Sequence, residues 1–91
     1  MVDELKELFD RLPVGWSVVT YDGRRYGVTR TVLTGGRSEK VLAEALDGSD
    51  LVSANLYRVG GEDVLKPCEM SSEKVLDFLR QQEPRDVRVR D

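Results

Sequence analysis

Histidine is absent from this 91-residue chain, and cysteine occurs once, as Cys68. The first absence excludes Ser-His-Asp and Cys-His nucleophile systems, His-ligated zinc and imidazole general-base catalysis. The second excludes an internal disulfide and any metal cage built from cysteines alone. Nothing in the sequence calls for a cofactor. Aromatic residues make up only 7% of the chain, with one tryptophan. No apolar run approaches the roughly 20 residues that a bilayer-spanning helix needs. The opening Met1 to Glu7 is acidic and polar, unlike a secretory signal or an Arg-rich transit peptide. A cytoplasmic protein with no membrane partner is expected.

What is present is ordinary for a globular domain: 40% apolar and 34% charged residues, with a net charge of −3. One α+β domain over residues 1–83 is expected, with residues 84–91 a charged, mobile C-terminal tail. So short a domain buries only about 60–65% of its unfolded surface. Few apolar side chains are then left to line a deep pocket, and a shallow face is the expected working surface.

Val2, Leu5, Leu8, Phe9 and Leu12 fall at helical spacing, which predicts an amphipathic helix over residues 2–12, ended by Pro13. Glu7 and Arg11 stand as an i, i+4 pair. Trp16 to Tyr21 is rich in strand formers, and Asp22-Gly23 supplies the two positive-φ positions of a type I′ hairpin turn. The return strand runs from Arg24 to about Leu33. Ser38 can cap a helix to about Leu46. A second hairpin joins Leu51–Val59 to a strand from Glu62 to about Cys68 through Gly60-Gly61, and Ser71 or Ser72 caps a last helix to about Gln82. The run Ser-Glu-Lys-Val-Leu occurs twice, at Ser38–Leu42 and Ser72–Leu76. It suggests an internal repeat of two ββα units. The predicted fold is therefore α+β: an N-terminal helix, then two ββα units in a mainly antiparallel four-stranded sheet with helices on one face.

Pairing each hairpin about a two-residue loop assigns the faces. Val19, Tyr26, Val28 and Val32 share one side of the first hairpin, and Val52, Ala54, Leu56 and Leu65 one side of the second. Arg58 and Asp63 pair at the rim. The opposite face carries Trp16, Val18, Thr20, Arg25, Thr29 and Thr31 on one hairpin and Ser53, Asn55, Tyr57 and Lys66 on the other, with Cys68 nearby. From this surface Trp16, Arg25, Asn55, Tyr57 and Lys66 are the candidate binding residues. The competing reading is a solvated face whose Trp16 is tucked under the N-terminal helix.

Cys68 is the candidate catalytic residue. It precedes a predicted helix whose unpaired N–H groups, helped by Lys66, would stabilise a thiolate, while Glu69 opposes it. A cysteine merely packed under the helix is the alternative. Charge is uneven: Arg24, Arg25, Arg30, Arg37 and Lys40 stand against one acid, Glu39, whereas Glu44, Asp47, Asp50, Glu62 and Asp63 stand against Arg58. Complementary patches of this kind fit self-association at least as well as a nucleic-acid site. Gly35-Gly36-Arg37-Ser38, before a predicted helix, could receive an anion on its N–H groups.

Tyr26-Gly27-Val28-Thr29-Arg30-Thr31, then Gly35-Gly36-Arg37-Ser38, then Leu65-Lys66-Pro67-Cys68-Glu69-Met70 together resemble a family of short uncharacterised bacterial domains. Some of its members are labelled peptide methionine sulfoxide reductase. The resemblance covers most of the chain and implies a bacterial, cytoplasmic protein, but it brings no active site. The Gly-Cys-Phe-Trp motif and zinc-binding cysteine pairs of true reductases are missing here, so only Cys68 could take the nucleophile's place. The leading expectation is a non-catalytic protein-interaction module, a homodimer or the docking site of a protein partner, using a bare sheet face. The second is a thiol-dependent reductase acting on sulfoxides or disulfides through Cys68. The third is weak binding of single-stranded nucleic acid.

Overall fold

Two tight turns start the sheet. Asp22 (φ 54°) and Gly23 (φ 75°) lie in the left-handed region, as do Gly60 (φ 59°) and Gly61 (φ 83°). This is the type I′ geometry whose twist matches that of the flanking strands. The computed structural model describes residues 4–33, 35, 37–68 and 70–84. The first turn joins β1 (Gly15–Tyr21) to β2 (Arg24–Leu33), and the second joins β4 (Leu51–Val59) to β5 (Glu62–Pro67). The first hairpin places Val19 opposite Tyr26. The second places Leu56 opposite Leu65 and Arg58 opposite Asp63, with Arg58 Nε 2.9 Å from Asp63 Oδ1.

Between the hairpins runs β3 (Ser38–Ala45), antiparallel to β2 on one side and to β4 on the other. Helix α1 (Glu4–Asp10) precedes the sheet. Helix α2 (Ser72–Gln81) follows it, and a two-residue strand, β6 (Glu83–Pro84), then pairs with β1. The result is one six-stranded antiparallel sheet in the order β5-β4-β3-β2-β1-β6. This corrects the expected α+β fold of two ββα units around a four-stranded sheet: the chain is mainly β, one six-stranded sheet with two short helices. The helix expected over residues 38–46 is a strand, and Asp47 to Asp50 form the turn into β4 rather than a helix end. Pro84, expected to open the tail, belongs to β6. Residues 85–91, expected to be mobile, lie outside the described residues.

The repeated pentapeptide thus adopts two conformations, so it does not mark a duplicated unit. In β3 the burial alternates: Glu39, Val41, Ala43 and Ala45 turn inward, while Lys40 and Glu44 are exposed. In α2 the same five residues lead into Asp77-Phe78-Leu79, and Val75, Phe78 and Leu79 are buried at helical spacing. Ser71 caps that helix, its side chain accepting from the Lys74 N–H at 3.1 Å. Glu, Lys, Leu and Ala all favour helix intrinsically. In β3 that preference loses to two flanking ladders, because without this strand β2 and β4 would both be left as long unpaired edges.

The core lies between one face of the sheet and the two helices. Leu8, Phe9 and Leu12 from the α1 region and Val75, Phe78 and Leu79 from α2 join Val19, Tyr26, Val28, Val41, Val52, Ala54 and Leu56. Val32, expected in this core, is exposed near the end of β2, where it pairs with Glu39. Among the described residues the ion pair within α1 is Lys6–Asp10 at 2.8 Å and not the expected Glu7–Arg11; Arg11 reaches the Arg80 carbonyl, at 3.4 Å. No helix among the described residues is long and apolar enough to cross a membrane.

A buried ion pair sits within this core. Arg30 and Glu39 are 7% and 5% exposed, and Arg30 Nε donates to Glu39 Oε1 at 2.8 Å. The same guanidinium donates to the Leu12 carbonyl at 2.7 Å and to Asp10 Oδ1 at 2.9 Å. It thereby fastens the end of α1 to β2 and β3. Lys6, with Arg30, holds the Asp10 carboxyl below its usual range. Removing one member of a buried pair strands the other charge, at a cost of about 3–5 kcal/mol. Arg30→Ala should lower unfolding free energy in urea by about 3 kcal/mol. A loss of under about 0.5 kcal/mol, the size of an exposed pair, would contradict this reading.

The rings of Tyr21, Tyr26 and Phe78 stack edge-on or tilted, with centroids 5.0–5.7 Å apart. Tyr26 donates to Asp50 Oδ2 at 2.6 Å, and Tyr21 donates to Asp77. The Asp77 hydrogen bond and burial push Tyr21 up to about 12, and burial together with Asp50 also raises Tyr26. Folded pKa values above the unfolded value of about 10 mean that this stabilisation is complete below that pH and lost as pH rises. In a Tyr57→Phe variant, phenolate absorbance should stay absent past pH of about 10 and appear together with unfolding. Both phenols ionising near the ordinary value with the fold intact would contradict it.

Candidate functional site

The register that buries one face fixes the composition of the other. Across β1, β2, β3 and β4, Trp16 aligns with Thr29, Thr29 with Leu42, and Leu42 with Ser53. One row along, Val18 aligns with Gly27, Gly27 with Glu44, and Glu44 with Leu51. On the other side, Thr31 aligns with Lys40, Lys40 with Asn55, and Asn55 with Lys66. Tyr57 lies between Ser38 and Val64 in the next row. Trp16, Asn55, Tyr57 and Lys66 are thus brought onto one surface, with Arg25 at its corner opposite Thr20.

Trp16 is not tucked under α1. It is 66% exposed on the opposite side of the sheet. Its seat is Gly27: a Cβ built there would stand 3.2 Å from Trp16 Nε1 and 3.3 Å from Leu46 Cδ2. The missing side chain lets the indole and the exposed Leu46 close over the β2 backbone. Trp16, Gly27, Thr29, Leu42, Glu44 and Leu46 outline a shallow depression of about 360 Å³. Leu33, Leu51, Tyr57 and Val59 are further exposed apolar side chains on this face.

Cys68 is half-buried at the continuation of β5. Its N–H donates to the Ser53 carbonyl at 2.9 Å, so its backbone extends the sheet, and α2 starts only at Ser72. The thiol lies 3.9 Å from Asn55 Nδ2. It also lines an open cleft of about 510 Å³ with Glu44, Asp50, Leu51 and Met70. Glu69 lies outside the described residues. The anion site expected at Gly35–Ser38 has no helix behind it, because Ser38 opens β3.

The charge runs are partly consumed within the fold. Of the basic run, Arg30 is buried and Arg24 donates to Ser49 Oγ at 2.7 Å. Of the acidic run, Asp50 receives Lys74 at 2.9 Å and the Tyr26 hydroxyl, which hold its carboxyl below the usual range. Asp63 receives Arg58. On the bare face stand Arg25, Lys40 and Lys66 with Glu44 and Glu62, all exposed. Sequence reasoning missed Lys40, Leu42, Glu44 and Leu46, which it assigned to a helix. The available signal was the alternation through Glu39, Val41, Ala43 and Ala45.

No family model matches the chain, and no curated protein or solved structure matches it significantly.

Gly27→Val tests the indole's seat. The valine suits an extended strand but occupies the space under Trp16. Acrylamide quenching of Trp16, the only tryptophan, should rise as the ring is displaced, with a stability loss of about 1 kcal/mol or less. Unchanged quenching would show that the ring does not rest on Gly27.

Proposed function

We propose that this chain is a non-catalytic protein-interaction module whose contact surface is the bare face of its sheet, with homodimerisation as its simplest use. The observation that carries the reading is the two-thirds-exposed Trp16, held over Gly27 beside Leu42 and Leu46 on the side of the sheet away from the helices. Tryptophan is enriched among residues that dominate interfaces, because one rigid ring gives much contact area at little entropic cost. Five strands of this length present a face on the order of 24 by 23 Å. With side-chain relief, that approaches the roughly 800 Å² per partner of an ordinary interface. The mixed charge of the face suits a protein surface better than a phosphate backbone, which calls for a predominantly basic one.

Size-exclusion chromatography with light scattering tests this reading. The wild-type molar mass should approach twice the monomer value as concentration rises towards the millimolar range. Leu42→Asp, placing a carboxylate at the centre of the face, should stay monomeric with its fold intact. A wild-type protein strictly monomeric at millimolar concentration, or a dimer indifferent to Leu42→Asp, would overturn it.

A further inference from the structure

We infer that the bare face receives a second copy of this chain about a two-fold axis that lies across the strands and passes over Leu42. This rests on the interaction reading above and names the occupant and its orientation. The argument comes from β3, the strand nearest the middle of the face. Along it Lys40, Leu42 and Glu44 point outward at intervals of two residues, both charges exposed and Leu42 half-buried between them. A face-to-face homodimer is isologous, so each patch must complement itself.

Only two orientations stack such sheets with their strands nearly aligned. An axis parallel to β3 lays Lys40 on the partner's Lys40 and Glu44 on the partner's Glu44, and like charges so juxtaposed are strongly unfavourable. An axis across the strands reverses the partner's direction. Lys40 then faces the partner's Glu44, Glu44 faces the partner's Lys40, and Leu42 meets the partner's Leu42 at the centre. The same operation leaves the row of Trp16, Thr29, Leu42 and Ser53 along the axis. Trp16, Thr29 and Leu42 therefore meet in the middle, Ser53 being buried, and Lys40 and Glu44 pair on either side. Because the symmetry repeats each ion pair, a substitution at either position acts twice.

Charge exchange tests this orientation, read as the dimer dissociation constant by analytical ultracentrifugation at low salt. Lys40→Glu alone and Glu44→Lys alone should each weaken dimerisation at least tenfold. The double variant Lys40→Glu/Glu44→Lys should return to within about threefold of wild type. An equimolar mixture of the two single variants should form heterodimers more tightly than either forms homodimers. All four positions in the dimer are exposed in the monomer, and rescue in the double variant excludes misfolding as the cause of loss. If Leu42→Asp abolishes the dimer while either single charge variant dimerises as wild type does, or the double variant fails to recover, the across-strand orientation is wrong although the face is still the interface. If Leu42→Asp has no effect, the interaction reading falls and this inference with it.

Discussion

The Arg30–Glu39 pair, with Val41, Ala43 and Ala45 beside it, holds one side of β3 against the core. Both side chains are buried, joined at 2.8 Å, and tied through the same guanidinium to the end of α1. A one-residue slip of β3 would turn Glu39 to the bare face and Lys40 inward, because side chains alternate strictly along a strand. A buried ion pair is weak evidence for stability by itself. Here it shares with Val41, Ala43 and Ala45 the register in which Lys40, Leu42 and Glu44 face outward. The composition of the bare face is thus a consequence of contacts on the opposite side of the sheet.

The hairpins were legible in the sequence because their signals are local. Asp22-Gly23 and Gly60-Gly61 occupy positions that need positive φ, and two-residue loops then fix every cross-strand partner. Helix α2 was legible from Ser71 and the spacing of Val75, Phe78 and Leu79. Strand β3 was not. Its residues favour helix, its pentapeptide is helical elsewhere in the same chain, and its conformation depends on hydrogen bonds to strands on either side. The error also hid the site's centre. A helix over residues 38–46 removes Lys40, Leu42 and Glu44 from the sheet and leaves Trp16 and Tyr57 on hairpins with nothing between them. Arg30 entered the sequence reading only as part of a basic run, although it stands between Val28 and Val32 on the side that reading assigned to the core; its partner Glu39, placed in a helix, was not in view.

The small size of the domain links the fold to the surface. Two short helices and one sheet face absorb most of the large apolar side chains, including Phe9, Tyr26 and Phe78. What remains outward is a shallow mixture of Trp16, Leu42, Leu46 and Leu51 among hydroxyls and single charges. Such a surface is shallow and broad, and our proposal is that it meets another protein. Gly27 has a part in this, because its missing side chain lets the indole lie close on the backbone and keeps the face low.

Concentration-dependent chemical-shift mapping of the backbone amides is the most direct measurement of the central claim that the outward side of β3 is the contact surface. As protein concentration rises, shifts should concentrate on residues 40–44 and on their neighbours Trp16, Thr29 and Ser53, leaving the solvent sides of α1 and α2 unchanged. Shifts confined to the helices, or to the β5 edge alone, would contradict it.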